Sequence, residues 1–323
     1  MITGEPSFYN ERVDDIPLLW GICQQLKIAE VVDQCLGSHG SHQGLSNGLL
    51  AVGWLIYILT EGDHRKCAVQ HWVERHRLTL EELMQCPIRP TDFTDDRLGI
   101  FLTRISPQTI WHPVEAGVWC STLLVYERVL EQVHLDATSS YGYHTRAVDG
   151  LMQLGHSKDH RPDLPQIKLM AGARCPGGFP IASQVYSGEC ADDPLYRPMI
   201  SQVRQIVGKP GLLYTGDCKM ASAATRADIV SGGDYYLVPM PMTGGAPEQM
   251  RSWVDAVVDG NQEVRLCWGE TEERGYVRLL GTGYSVERKM RVEIAKWETH
   301  FQRTPSPPFH SLQLPISTFP YTL

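Results

Sequence analysis

Val133-His-Leu-Asp-Ala-Thr138 and Leu212-Leu-Tyr-Thr-Gly-Asp217 decide the reading of this chain, because each is a short apolar run that carries an aspartate at its end. β-branched and large apolar residues in runs of this length, closed by small polar residues, read as buried strands. Asp136 is followed by Ala137, Thr138, Ser139 and Ser140, and Asp217 follows Gly216 directly. The two acids stand 81 positions apart, with a hairpin and a helix between them. Strand-terminal carboxylates so separated meet if their strands lie side by side in one sheet. A hard divalent cation such as Mg²⁺ takes carboxylate oxygens in that setting, and two ions about 3.5 to 4 Å apart activate a water and stabilise the leaving oxygen of a phosphodiester. An aspartate at a strand end also caps the turn or helix that follows it, so spacing alone leaves both roles open.

Between and beyond these runs the pattern predicts a mixed domain. Gln166 to Arg174 and Pro180 to Ser187 alternate as a hairpin around a Cys175-Pro-Gly-Gly178 turn. A helix follows from Pro194 to Val207, capped by Asp192 or Asp193. Next come a strand over Gly211 to Tyr214, a helix over Ala221 to Val230 and an apolar strand from Tyr235 to Pro239. That order of elements is an α/β domain with a mixed sheet. Upstream the signal is helical throughout: Pro17 to Val32, Asn47 to Glu61, Cys67 to Arg77, Thr79 to Gln85, Thr94 to Ile105 and Pro107 to Tyr126. Downstream, Ser252 to Asp259, Glu263 to Trp268 and Tyr276 to Leu280 read as an inserted strand-rich segment. Five prolines between Thr304 and Leu323 predict an irregular tail.

The chain has 323 residues and a net charge of −8, enough apolar mass for two domains of ordinary size. Residues 1–130 carry 16 acids and 10 bases, and 131–323 carry 21 and 19. Phosphate contact would therefore rest on local basic patches. The run from Leu45 to Thr60 is too short and too interrupted for a membrane span. Met1 to Asp15 lacks a secretory start, so a cytoplasmic location is expected. Nine scattered cysteines without a C-x2-C pair point to reduced, mostly packed thiols, Cys218 among them. The absence of a Walker loop, a G-x-G-x-x-G and an H-E-x-x-H excludes nucleotide-driven and zinc-protease chemistry.

His134-Leu-Asp-Ala-Thr-Ser139, Gly155-His-Ser-Lys-Asp-His-Arg-Pro-Asp-Leu-Pro-Gln166, Gly216-Asp-Cys-Lys-Met-Ala-Ser222 and Thr94-Asp-Asp-Arg-Leu-Gly99 resemble the conserved segments of a group of bacterial insertion-sequence transposases, over about residues 15 to 300. The resemblance implies an all-helical N-terminal domain (1–128) and then an RNase H-like DDE domain (129–303) of α+β class, with an insertion at about 244–283 and a tail at 304–323. It implies Mg²⁺ or Mn²⁺ as cofactor and Asp136 and Asp217 as the first and second metal-binding acids. DNA, at transposon ends and target, is the implied partner, with self-association into a homo-oligomer and neither a membrane nor a nucleotide cofactor. The group's third acid is a glutamate on a late helix. Glu287, Glu293 and Glu298 lie on a predicted helix from Val286 to Phe301, but none has the group's spacing, so loss of the third acid by truncation is expected, and with it weak metal binding and little or no cutting of DNA. Two other functions stay open: a truncated, non-catalytic DNA-binding or regulatory relative, and a different metal-dependent phosphoesterase.

Basic side chains cluster around the same segments. Lys158, His160 and Arg161 sit in a proline-bounded loop, and their chemistry suits phosphate contact as well as plain solvent exposure. Lys219 and Arg226 follow Asp217 toward the next helix, where phosphate orientation and ordinary exposure are again both open. Gln70, His71, Arg75, His76 and Arg77 form the one N-terminal cluster suited to reading DNA from a helix-turn-helix.

Overall fold

The computed structural model describes residues 10–37, 44–126, 130–146, 149–158, 160–270 and 277–284. Seven helices come first: α1 (Ile16–Gln25), α2 (Ile28–Leu36), α3 (Asn47–Glu61), α4 (Lys66–Arg75), α5 (Arg77–Met84), α6 (Asp95–Ile105) and α7 (Gln108–Tyr126). Local chemistry marks several boundaries. Ser46 and Thr94 accept the backbone N–H of Leu49 and Arg97 and so cap α3 and α6. Gly62, in the left-handed region, ends α3. The single helix expected from Pro17 to Val32 is two helices, broken where Lys27 takes a left-handed φ of +54°. Apolar periodicity runs through the break because Ile16, Trp20, Cys23 and Val32 all reach the same core. At Gly48 a Cβ would lie 2.0 Å from the Ala29 carbonyl oxygen, so glycine is what lets α3 pack so closely on α2.

Helix α7 belongs to two cores. Val114 is buried with the helical core, whereas Trp119 is buried with the sheet core. A continuous helix thus links the helical layer to the sheet. Glu115, between these two residues, accepts hydrogen bonds from Ser183 and from Gln202 (3.0 Å for Gln202).

The sheet has five strands in the order β3-β2-β1-β4-β5: β1 (Gln132–Tyr141), β2 (Gln166–Cys175), β3 (Phe179–Ser187), β4 (Leu213–Gly216) and β5 (Tyr235–Leu237). β1, β2 and β3 pair antiparallel, while β4 and β5 run parallel to β1. This is the RNase H-like mixed sheet, and the fold is α+β. β1 is longer than the expected Val133 to Thr138 because it pairs with β2 along its whole length. β4 is short and lies two residues later than expected, since only four of its residues meet β1. Helix α8 (Tyr196–Val207) packs its buried face of Tyr196, Met199, Ile200 and Val203 with Val133, Leu135 and Met170 of the sheet.

Two compact units divide the chain. One holds Met1–Met220 and Ile229–Pro239, and the other Ala221–Asp228 and Met240–Leu323. The second contains α10 (Ala246–Val258) and the antiparallel pair β6 (Arg265–Glu270) and β7 (Val277–Gly283). Ser252 to Asp259, expected as a strand, is helical. Met250, Trp253, Val254, Val257 and Val258 recur at helical spacing, and Pro247 sits in the first turn, where its missing N–H costs nothing. The other two expected strands form the β6–β7 pair. Among the described residues, no helix is long and apolar enough to cross a membrane.

Burial raises the Glu115 carboxyl above the ordinary glutamate value, only partly offset by the hydrogen bonds from Ser183, Trp111 and Gln202. The folded state then holds this proton more tightly than the unfolded chain, so its contribution is fully present at low pH and is lost as pH rises through the folded value. Urea midpoints taken from about pH 4 upward should fall for the wild type across that window, starting near the free glutamate value of about 4.3. Glu115→Gln should flatten this limb; an unchanged slope would show that another group causes it.

Candidate functional site

The parallel register of β1 and β4 pairs Val133 with Tyr214, His134 with Thr215 and Leu135 with Gly216. Strand alternation gives the pairs two faces. Val133, Leu135 and Tyr214 point into the core, whereas His134 faces Thr215, its Nδ1 lying 3.0 Å from Oγ1. One residue further on, Asp136 and Asp217 come level and both are exposed; Asp217 lies just past the end of β4, but Asp136 does not end its strand as expected, because β1 runs on to Tyr141 and Asp136 pairs with Ala171 of β2. β3 is antiparallel to β2 and so runs with β1. The chain therefore leaves β3 at the end of the sheet where the two aspartates stand, and α8 starts there.

Each carboxylate is held by one oxygen. Asp136 Oδ1 accepts the N–H of Ala137 at 2.8 Å. Asp217 Oδ1 accepts the Tyr196 hydroxyl at 2.6 Å and the Lys219 N–H at 2.9 Å. No described residue donates to either Oδ2. Burial pushes the Tyr196 phenol far above the ordinary tyrosine range, and its hydrogen bond to Asp217 and the charges of Asp217, Asp136 and Asp192 push the same way. The hydroxyl thus keeps its proton and acts as a donor. Gly216 must be small, because a Cβ there would come within 2.9 Å of the Met220 sulfur and 3.1 Å of the Leu135 carbonyl oxygen.

The loop before β2 is fastened beside β1. A Cβ on Gly155 would lie 2.0 Å from the Gly188 carbonyl oxygen, and the Gln166 amide donates to the carbonyls of His156 (2.9 Å) and Gly188 (3.2 Å). The Lys158 ammonium consequently reaches the carbonyl of Ala137, next to Asp136, and lies 4.0 Å from Asp192. Arg161 is paired through two nitrogens with Asp163 (2.9 and 2.8 Å) and lies 5.6 Å over the Tyr141 ring. His160 is exposed in a left-handed turn with φ +57°. Lys219 lies on a short 3-10 turn, Cys218–Ala221, with its ammonium 3.8 Å from Asp193. Arg226 belongs to α9 (Ala223–Ser231), in the second compact unit, where it is half-buried and already partnered. Glu287, Glu293 and Glu298 lie outside the described residues. Among the described residues no group of three or more His, Cys, Asp or Glu is arranged to hold a metal.

Several expectations need correction. Neither Asp192 nor Asp193 caps the next helix: α8 begins at Tyr196 behind Leu195, without a side-chain cap, and Asp192 instead receives the Lys168 ammonium at 2.6 Å. Cys218 is exposed rather than packed, because the chain turns outward directly after Asp217. His76 is buried, its Nδ1 2.9 Å from the Trp72 carbonyl oxygen and its ring 4.9 Å from Trp72, so it belongs to the helical core rather than to a DNA-reading cluster.

Sequence reasoning missed Lys168, Asp192 and Tyr196. Lys168 did leave a signal. It alternates with Gln166, Met170 and Gly172 on the inward face of β2, and an inward lysine requires an acid partner. Tyr196 left none, since an aromatic residue in the first turn of an amphipathic helix reads as core. The Lys168 side chain is 5% exposed and that of Asp192 13%. Removing one partner of such a pair costs about 3–5 kcal/mol, while replacing both with apolar residues is close to neutral. Asp192→Leu and Lys168→Met should each lower unfolding stability by that order. The Asp192→Leu/Lys168→Met double variant should regain most of it; additive losses in the double-mutant cycle would show that the two groups are not coupled.

Residues 9–111 match a family described as a domain of unknown function (DUF4277). No curated protein matches the chain. Similar solved structures include the piggyBac transposase synaptic complex with hairpin DNA, at 11% identity and a TM-score of 0.38, covering 77% of this chain and 56% of that one. The simian T-cell lymphotropic virus intasome in complex with PP2A regulatory subunit B56 gamma aligns at 10% identity and a TM-score of 0.24, over 41% and 40% of the two chains. The chain thus spans less than two thirds of either protein. The Mos1 transposase paired-end complex with left transposon end aligns at 10% identity and a TM-score of 0.25, over 78% and 92%.

Proposed function

We propose that this chain is a DNA-strand-cleaving and strand-transferring protein of the insertion-sequence transposase type, with Asp136 and Asp217 as its metal-holding acids. The observation that carries this reading is the β1–β4 register, which brings Asp136, within β1, level with Asp217, just past β4, each with one oxygen that no described residue engages by a hydrogen bond. Mg²⁺ is commonly held by one or two carboxylates, with waters and substrate phosphates completing its octahedron, and the exposed pair suits that donor set. Mg²⁺ or Mn²⁺ would supply an activated water and charge stabilisation at the leaving 3′ oxygen.

The chain's own residues orient that chemistry. Asp136 and Asp217 fix the position of the ion relative to a DNA strand crossing the end of the sheet. Lys158, parked on the Ala137 carbonyl beside Asp136, is placed to take a phosphate oxygen. Lys219 stands on the turn behind Asp217 and serves the same strand. Arg161 makes a weaker contribution, because Asp163 already neutralises its guanidinium; His160 offers an exposed imidazole on the same loop.

With the full chain, Mg²⁺ or Mn²⁺ and DNA carrying the element's ends, strand cleavage should be abolished by Asp136→Ala and by Asp217→Ala. Cutting that survives Asp136→Ala would place the chemistry elsewhere. Metal binding and DNA binding without any cutting would mark a non-catalytic relative instead. Lys158→Ala should weaken DNA binding for all sequences alike and lower the slope of log K against log salt by about one; an unchanged slope would remove Lys158 from the interface.

A further inference from the structure

We infer that the Tyr196 hydroxyl and the Lys219 backbone N–H form a two-donor clamp on Asp217 Oδ1 that aims Oδ2 at a divalent cation, which makes Tyr196 a positioning residue of the metal site. This rests on the functional reading above. The geometry is specific: both donors converge on one oxygen, at 2.6 and 2.9 Å, and neither reaches the other. Asp217 lies past the last strand pair, Leu135 with Gly216, so the sheet ladder no longer fixes its rotamer. The clamp does so instead.

The two donors come from elements that do not depend on one another. Lys219 N–H is presented by the 3-10 turn that follows Asp217 itself. Tyr196 is 1% exposed and packed in the sheet core with Leu195, Met199 and Ile200, so its ring cannot swing away. A rigid aromatic lever in the first turn of α8 thereby converts core packing into the orientation of an exposed carboxylate. Partners of metal-binding carboxylates that act in this way typically change affinity by about 10- to 100-fold when removed.

Tyr196→Phe keeps the ring and deletes only the donor. Manganese binding to the full chain, followed by the electron paramagnetic resonance of free Mn²⁺, should weaken by about 10- to 100-fold, while the thermal midpoint of the metal-free protein stays close to that of the wild type. Asp217→Asn should abolish the same binding event. Equal Mn²⁺ affinity in Tyr196→Phe and wild type overturns the clamp while leaving the metal site standing. Absence of binding in the wild type, or binding untouched by Asp217→Asn, overturns the metal reading and the clamp with it. If Tyr196→Phe does not fold, the second donor decides: Lys219→Pro, which lacks the N–H, must lose affinity whereas Lys219→Ala, which keeps it, must not. Equal affinities in those two variants overturn the proposal.

Discussion

Four residue pairs between β1 and β4 hold the arrangement together. A parallel ladder is laid down only after the chain has made a hairpin and a helix, since parallel neighbours need a long crossover. Here β2, β3 and α8 are that crossover. Its burial of Leu135, Met199, Val203 and Tyr214 in one core holds β4 against β1, and with it Asp217 beside Asp136. A slip of one residue in this register would turn one of the aspartates toward α8. The apolar alternation of both strands forbids that slip, because it would also expose Val133 and Leu135.

Around this ladder, polar groups are buried in pairs rather than singly. Lys168 and Asp192 satisfy one another under the loop that carries Lys158, and Glu115 joins α7 to β3 and α8 through Ser183 and Gln202. Such contacts add little net stability, because desolvation offsets most of the attraction. They do fix geometry. Lys168 cannot leave the inward face of β2 without stranding a carboxylate, so the strand that neighbours β1 and the start of α8 are tied to one another close to the aspartates.

The helical half shows how far periodicity carries. Ser46, Thr94 and Gly62 announce helix ends by local chemistry that no tertiary contact has to support, and the structure places the boundaries of α3 and α6 there. Where the chemistry is silent, the reading loses resolution. Lys27 carries nothing that marks a break, and only packing of both flanking helices on one core makes a left-handed lysine tolerable. The Ser252 to Asp259 segment erred differently: Val254, Val257 and Val258 favour strands by type but stand at helical spacing, and spacing outweighed type.

By itself the sequence determined most of the helical segments and strand runs, and that one acid lies in or directly after each of two apolar runs. Each of these follows from interactions within a few residues, so the order of residues suffices. Only the tertiary structure decided which strands are neighbours, that an inward lysine finds Asp192, and that Tyr196 reaches Asp217. Those contacts join positions 21 to 24 residues apart or more, where the chain's conformational freedom erases any local signal and the meeting of two side chains is settled by how the cores pack.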